Sequence, residues 1–238
     1  LQRGVGYTSF IRKENEATTI KFTGEPHQGD VNFTITGNTT ANENLGWNLL
    51  GNPYPAPIRW TGNSTAGWNL SNVNNTVYVR DNSNGETTVR SYNGSTGNLP
   101  NGIIASGQAF WVRTVSGSTA LTVGELAKQT TDGEFFREGA PANTLEIVMR
   151  TPSLQDATYI QFVNGASSSF DSELDGIKLD NSFFNLSSLT TDNKAMAINL
   201  TTPDYCEQEV KLRITNAAIG AYNLDVTGVS SLISKDEV

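Results

Sequence analysis

Nearly every stretch in which apolar residues recur at the helical spacing i, i+3, i+4 and i+7 is broken by Gly, Pro or Asn, which leaves no room for a long helix. What the chain offers instead is a series of short runs rich in β-branched and aromatic residues, set apart by Gly, Asn and Ser clusters. That is the pattern of strands joined by turns. The runs fall at residues 5–11, 18–23, 31–36, 46–50, 76–80, 87–92, 108–114 and 120–123, then at 145–150, 157–162, 195–199, 209–214 and 222–226. Alternation is clearest from Thr144 to Arg150 and from Val210 to Ile214, so each of these buries one face and wets the other. Between Asp81 and Glu86 a turn-forming run ends in Asn84-Gly85, which predicts a hairpin from Thr76 to Tyr92.

The 238 residues exceed the roughly 100–200 of one ordinary domain. Polar, Gly- and Pro-bearing chain separates Lys128 from Asn143, as connections between compact units do. The expectation is an all-β protein of two consecutive β-sandwich modules, jelly-roll or immunoglobulin-like, covering residues 1–130 and 143–238 with a linker at 131–142. Phe135 and Phe136 in that linker are expected to pin the modules together. Pro53, Pro55 and Pro57 each fix φ and lack a donor, so the chain after Leu50 must leave its sheet as a stiff corner.

A net charge of −8, with basic residues scattered singly, repels phosphate backbones and anionic membrane surfaces. No nucleic-acid partner is expected. No run approaches the ~18 consecutive apolar residues of a membrane span, so no membrane insertion is expected either. Cys206 is the only cysteine, which excludes a disulfide within the chain and a cysteine zinc cluster; it reads as a small side chain near a strand start. The chain opens on Leu1 and not Met, as a processed or excised segment would.

His27 is the only histidine. A Ser-His-Asp triad would need it as base, but no Gly-x-Ser-x-Gly elbow accompanies it, and zinc motifs with two histidines are excluded. A facing carboxylate pair, the remaining hydrolytic arrangement, has no spacing signature, so no enzymatic activity is expected. Asp171, Glu173 and Asp175, followed by Gly176, imitate the start of a calcium loop, but its twelfth position is Ser182 where a bidentate Glu belongs. Calcium through these three carboxylates is the one cofactor the sequence admits, set against a solvated acidic turn. Trp60 and Trp68 flank a polar loop containing Asn63, and exposed indoles beside amides suit sugar rings. Trp47 and Trp111 lie in strand-like runs and read as core.

The run Gly46-Trp47-Asn48-Leu49-Leu50-Gly51-Asn52-Pro53-Tyr54-Pro55 resembles a "GWNLxGNPYP" signature. Two further stretches agree with the same family: Ile104 to Val112, similar to an "I-x-x-G-Q-(G/A)-F-(F/W)-V" strand, and Thr158 through Phe170-Asp171 to Lys178-Leu179. The resemblance is to β-rich modules found upstream of the C-terminal sorting domain in Bacteroidetes-type cargo of type IX secretion. It covers the chain from Gly6 to about Gly228 and implies location and architecture, not a reaction. The sorting domain that the resemblance leads one to expect is not within these 238 residues. The combined expectation is a non-catalytic structural or adhesive module of a secreted or outer-surface protein, partnered by other domains of its own polypeptide. The alternative is a carbohydrate-binding accessory module that contacts surface glycans through Trp60, Trp68 and Asn63.

Overall fold

A computed structural model describes residues 2–8, 21, 23–38, 45–81, 86–115, 117, 119–130, 142–203 and 208–233. The fold is all-β. Its strands in the first half are β1 (Val31–Asn32), β2 (Trp47–Gly51), β3 (Ile58–Arg59), β4 (Trp68–Ser71), β5 (Val73–Asp81), β6 (Thr88–Tyr92), β7 (Ile103–Ile104), β8 (Ala109–Thr114) and β9 (Ala120–Val123). Those of the second half are β10 (Thr144–Arg150), β11 (Gln155–Phe162), β12 (Gly176–Ile177), β13 (Asn185–Leu189), β14 (Ala195–Thr201), β15 (Leu212–Thr215) and β16 (Asn223–Thr227), followed by a short α-helix, α1 (Val229–Ile233). Among the described residues no helix is long and apolar enough to cross a membrane.

The first half holds a four-stranded sheet in the order β2-β8-β5-β6, a three-stranded sheet β1-β9-β4 and the pair β3-β7. Side chains of all three enter one core that includes Phe33, Leu50, Trp60, Trp68, Val77 and Phe110. The expected hairpin is formed: β5 and β6 pair antiparallel from Val77↔Tyr92 to Asp81↔Thr88, and its turn at 82–85 lies outside the described residues. The second half is a mixed sheet in the order β15-β13-β14-β11-β10-β16, with β12 also on β14. There β11 runs parallel to β14, with Tyr159 opposite Ile198. Its cores gather residues of the second half only, around Ile147, Phe162 and Leu186 on one side and Tyr159, Ile198 and Leu200 on the other. The 131–141 stretch of the expected linker, with Phe135 and Phe136, lies outside the described residues, as does Cys206.

Four positions of the Gly46–Pro55 run have a clear physical task. Gly46 adopts φ 87°, and a Cβ there would stand 2.5 Å from Thr114 O, a place open only to glycine. Asn48 offers Thr36 a surrogate strand edge: its Oδ1 accepts from Thr36 N at 2.7 Å and its Nδ2 donates to Thr36 O at 3.1 Å. Asn52 ties down the proline corner by donating to Ala56 O at 2.9 Å and Ala105 O at 3.0 Å. Tyr54 ends it in the core, its hydroxyl 2.8 Å from Gly29 O and 3.0 Å from Val123 O. Burial, with the charges of Glu125 and Asp30 adding to it, pushes that phenol up to about 12. The corner is therefore a closure of the first half, as the three prolines predict.

In the second half a buried ion pair fixes the sheet from within. Lys178 Nζ donates to both Asp156 oxygens at 2.6 Å, and Asp156 Oδ2 also accepts from Leu186 N at 2.6 Å. Both side chains are almost fully enclosed, so each charge depends on the other for compensation. Lys178→Met leaves the carboxylate buried without its cation, and urea unfolding will show a loss of about 3–5 kcal/mol.

Candidate functional site

The nine-residue strand β5 is buried on both faces. Val73, Val77 and Val79 point into the first core. Asn74, Thr76 and Tyr78, also buried, point the other way, and there the second half meets them. Tyr78 is 1% exposed, its ring crossed edge-on by Trp47 at 5.1 Å, and its hydroxyl donates to Ile177 O at 2.7 Å. Burial raises its pKa well above the ordinary phenol range. Asn74 Nδ2 donates to Ser172 O at 2.6 Å and Asp175 O at 2.8 Å. Gly176 lets the two backbones approach, since a Cβ there would stand 2.9 Å from Thr76 Oγ1.

The seam continues along β6. Val89 N donates to Asn181 Oδ1 at 2.7 Å, Thr87 N to Ser182 Oγ at 3.0 Å, and Ser182 N back to Thr87 O at 3.1 Å. Beyond it Thr96 Oγ1 donates to Gln161 Oε1 at 2.9 Å. The contact is thus a chain of directional bonds between the halves, most of them to backbone groups. Such bonds leave unpaid polar groups on both sides if the halves part.

The acidic turn expected to offer calcium ligands supplies this seam instead. Asp175 is 0% exposed; its Oδ2 accepts from Asp171 N at 2.8 Å and its Oδ1 from Leu200 N at 2.7 Å. Asp171 Oδ1 accepts from Glu173 N at 2.8 Å. The oxygens of Asp175 are turned onto backbone N–H groups, and among the described residues no group of three or more His, Cys, Asp or Glu side chains is placed to hold a metal ion. Asp171, Glu173 and Asp175, the carboxylates expected to offer calcium ligands, lie in a self-capped turn. Burial pushes the Asp175 carboxyl up to about 7, the two N–H donors acting against it and the charges of Asp171 and Asp192 with it.

The tryptophan expectation is corrected. Trp60 is 0% and Trp68 1% exposed; their rings lie 4.5 Å apart, and their N–H groups donate to Asn75 O at 2.9 Å and Arg59 O at 2.6 Å. Neither has a face to offer a sugar. Asn63 Oδ1 accepts from Thr65 N at 2.9 Å and caps the 3-10 turn Ser64–Ala66. Trp47 and Trp111, expected in the core, are the half-buried ones, Trp111 with the Arg80 guanidinium 5.5 Å from its ring. His27 stacks on Tyr54 at 6.0 Å, and no serine is bonded to it among the contacts described.

The geometry defines an all-β chain whose halves are joined by a buried polar seam. The chain belongs to the family described as "Domain of unknown function (DUF8693)", which matches it over residues 1–238. No curated protein matches it, and no solved structure does.

Three outcomes follow for these residues. Tyr78→Phe strands the Ile177 carbonyl and will lower stability by about 1–3 kcal/mol in chemical denaturation. Trp60→Ala will cost about 3–5 kcal/mol by opening the core, a loss of fold and not of a ligand. Asp175 holds its proton in the folded state from its ordinary value of 3.8 up to about 7, so the stability it contributes is complete below that range and is lost as the pH rises through 7. Thermal unfolding of the wild type and Asp175→Asn, followed between pH 4 and 8, will show the wild type losing ground to the variant as pH increases.

Proposed function

We propose that the chain is a non-catalytic structural module, a rigid spacer made of two β-sandwich-like units, within a secreted or outer-surface protein. The observation that carries this reading is the seam along β5 and β6. A spacer must transmit position from one end to the other, and two units joined by buried bonds such as Tyr78 to Ile177 O and Asn74 to Asp175 O resist the relative motion that is the default for domains in one chain. Three separate cores, one drawn from residues before 130 and two from residues after 143, support the division into units. The resemblance of the Gly46–Pro55 run to modules of type IX secretion cargo supports the location, with other domains of the same polypeptide as the partners.

Rigidity is directly measurable. Spin labels placed at the exposed Asn69 and Asn164, after Cys206→Ser, will report one narrow distance distribution by pulsed electron paramagnetic resonance. A broad or double distribution that persists at neutral pH would remove the spacer reading. Protease accessibility of the parent protein on intact cells tests the location: digestion of this segment from outside agrees with it, and complete protection overturns it.

A further inference from the structure

The sheet of the second half ends in two open edges. β15 and β16 stand at opposite ends of the order β15-β13-β14-β11-β10-β16, and among the described residues neither has a strand on its outer side. Both also carry apolar side chains in the open: Leu212, Ile214, Leu224 and Val226 are between 38% and 51% exposed. Ile214 lies opposite Leu186, Val226 opposite Ile147 and Leu224 opposite Met149, all buried in the core on that face. Directly opposed residues share a face, so the exposed residues prolong the apolar layer beyond its covered part. A bare edge of this kind is a template for another strand.

The bonds beside the two edges tell which main-chain groups look outward. Leu189 N donates to Lys211 O, and in an antiparallel ladder hydrogen-bonded pairs alternate with non-bonded ones. Hence Lys211, Arg213 and Thr215 turn their main-chain groups onto β13, while Leu212 and Ile214 turn theirs away. On the other side of the sheet Phe162 N donates to Asn143 O, which by the same alternation gives Leu145, Ile147 and Met149 to β11 and leaves Glu146, Val148 and Arg150 for β16. Their partners Thr227, Asp225 and Asn223 therefore face inward, and Leu224 and Val226 face out. The two edges match. Laid antiparallel with Leu212 opposite Val226 and Ile214 opposite Leu224, they bond through their outward groups. Arg213 then falls opposite Asp225 in a non-bonded pair, the type that brings side chains closest.

Charge selects this pairing over the two symmetric ones. β15 against another β15 in the same phase sets Arg213 against Arg213, and β16 against another β16 sets Asp225 against Asp225; like charges directly opposed are destabilising. Arg213 is exposed and has no carboxylate partner among the ion pairs of the described residues. Asp225 accepts from Arg150 Nε at 2.6 Å, yet its side chain is still 47% exposed, which leaves room for a second guanidinium. Within one chain the two strands occupy opposite edges of the sheet, so each edge finds its complement on a second copy.

We propose that copies of this chain associate head to tail, β15 of one copy adding to β16 of the next, with Arg213 paired to Asp225 across the contact. The contact joins unlike surfaces, so it propagates into rows of copies and does not stop at a two-fold dimer. It goes beyond the spacer reading and stands or falls apart from it, because rigidity concerns the seam inside one copy.

The test is sedimentation velocity of the full chain in reducing buffer, from about 1 μM to about 1 mM. The wild type will shift to larger species as concentration rises, passing the dimer. Arg213→Asp and Asp225→Arg each set like charges against one another and will each weaken association about tenfold. Their equimolar mixture will recover it, since each reversed edge then meets its opposite charge on the other variant. Thermal unfolding of each variant, measured alongside, separates lost association from lost fold. A wild type that stays monomeric over the whole range overturns the proposal. So does association that the folded single variants retain, which would mean apolar contact without this register, or a mixture as dissociated as its parts.

Discussion

Burial of β5 on both faces is the constraint from which the rest of the architecture follows. A strand covered on one side alternates apolar and polar residues, but this one must satisfy an apolar core with Val73, Val77 and Val79 and a polar neighbour with Asn74, Thr76 and Tyr78. The second set consists of side chains whose hydrogen-bonding groups have to be met wherever they are enclosed. Those of Asn74 and Tyr78 are met by main-chain carbonyls at Ser172, Asp175 and Ile177. The position of the second half is thereby prescribed by the side chains of one strand in the first.

Much of the strand inventory was legible because it rests on local residue type. The runs 108–114, 120–123 and 145–150 reappear with little change as β8, β9 and β10, and the three prolines mark the corner that Asn52 and Tyr54 fasten. Elsewhere a side chain took the place of local pattern. The expected strand 31–36 shortens to Val31–Asn32, since Thr36 bonds to the amide of Asn48 and not to a neighbouring backbone. Asn185–Leu189 carries Ser187 and Ser188 and gives no apolar signal, yet it is a central strand: Ser188 lies 3.0 Å from Thr158 Oγ1, so its hydroxyl is paired inside the sheet.

The seam and the tryptophans were not legible for a related reason. Whether a residue on a strand looks inward depends on register, and a shift by one exchanges the faces. In β8 the side chains of Phe110 and Val112 go to the core while Trp111 stands opposite Leu49 and Tyr78 on the outer face. Both sets are apolar, so sequence cannot choose between them. Trp60 lies just beyond β3 and Trp68 opens β4, and the polar loop between them turns away while the rings meet. The acidic turn at Asp171–Asp175 had a visible composition, but its partners, Leu200 and Asn74, are distant in sequence.

The parallel pairing of β11 with β14 bears on how the protein is made. Two neighbouring parallel strands cannot be joined by a hairpin, and the chain must travel back along the sheet between them. That return, from Phe162 to Ala195, includes Ser172, Ile177 and Asn181, the residues laid against β5 and β6. Such non-local connections are slow to close because chain entropy is lost before contacts reward it. On a ribosome the amino-terminal part emerges first, so Asn74 and Tyr78 are already in place when the returning segment appears. The finished half then acts as a template that shortens the conformational search of the one still being synthesised.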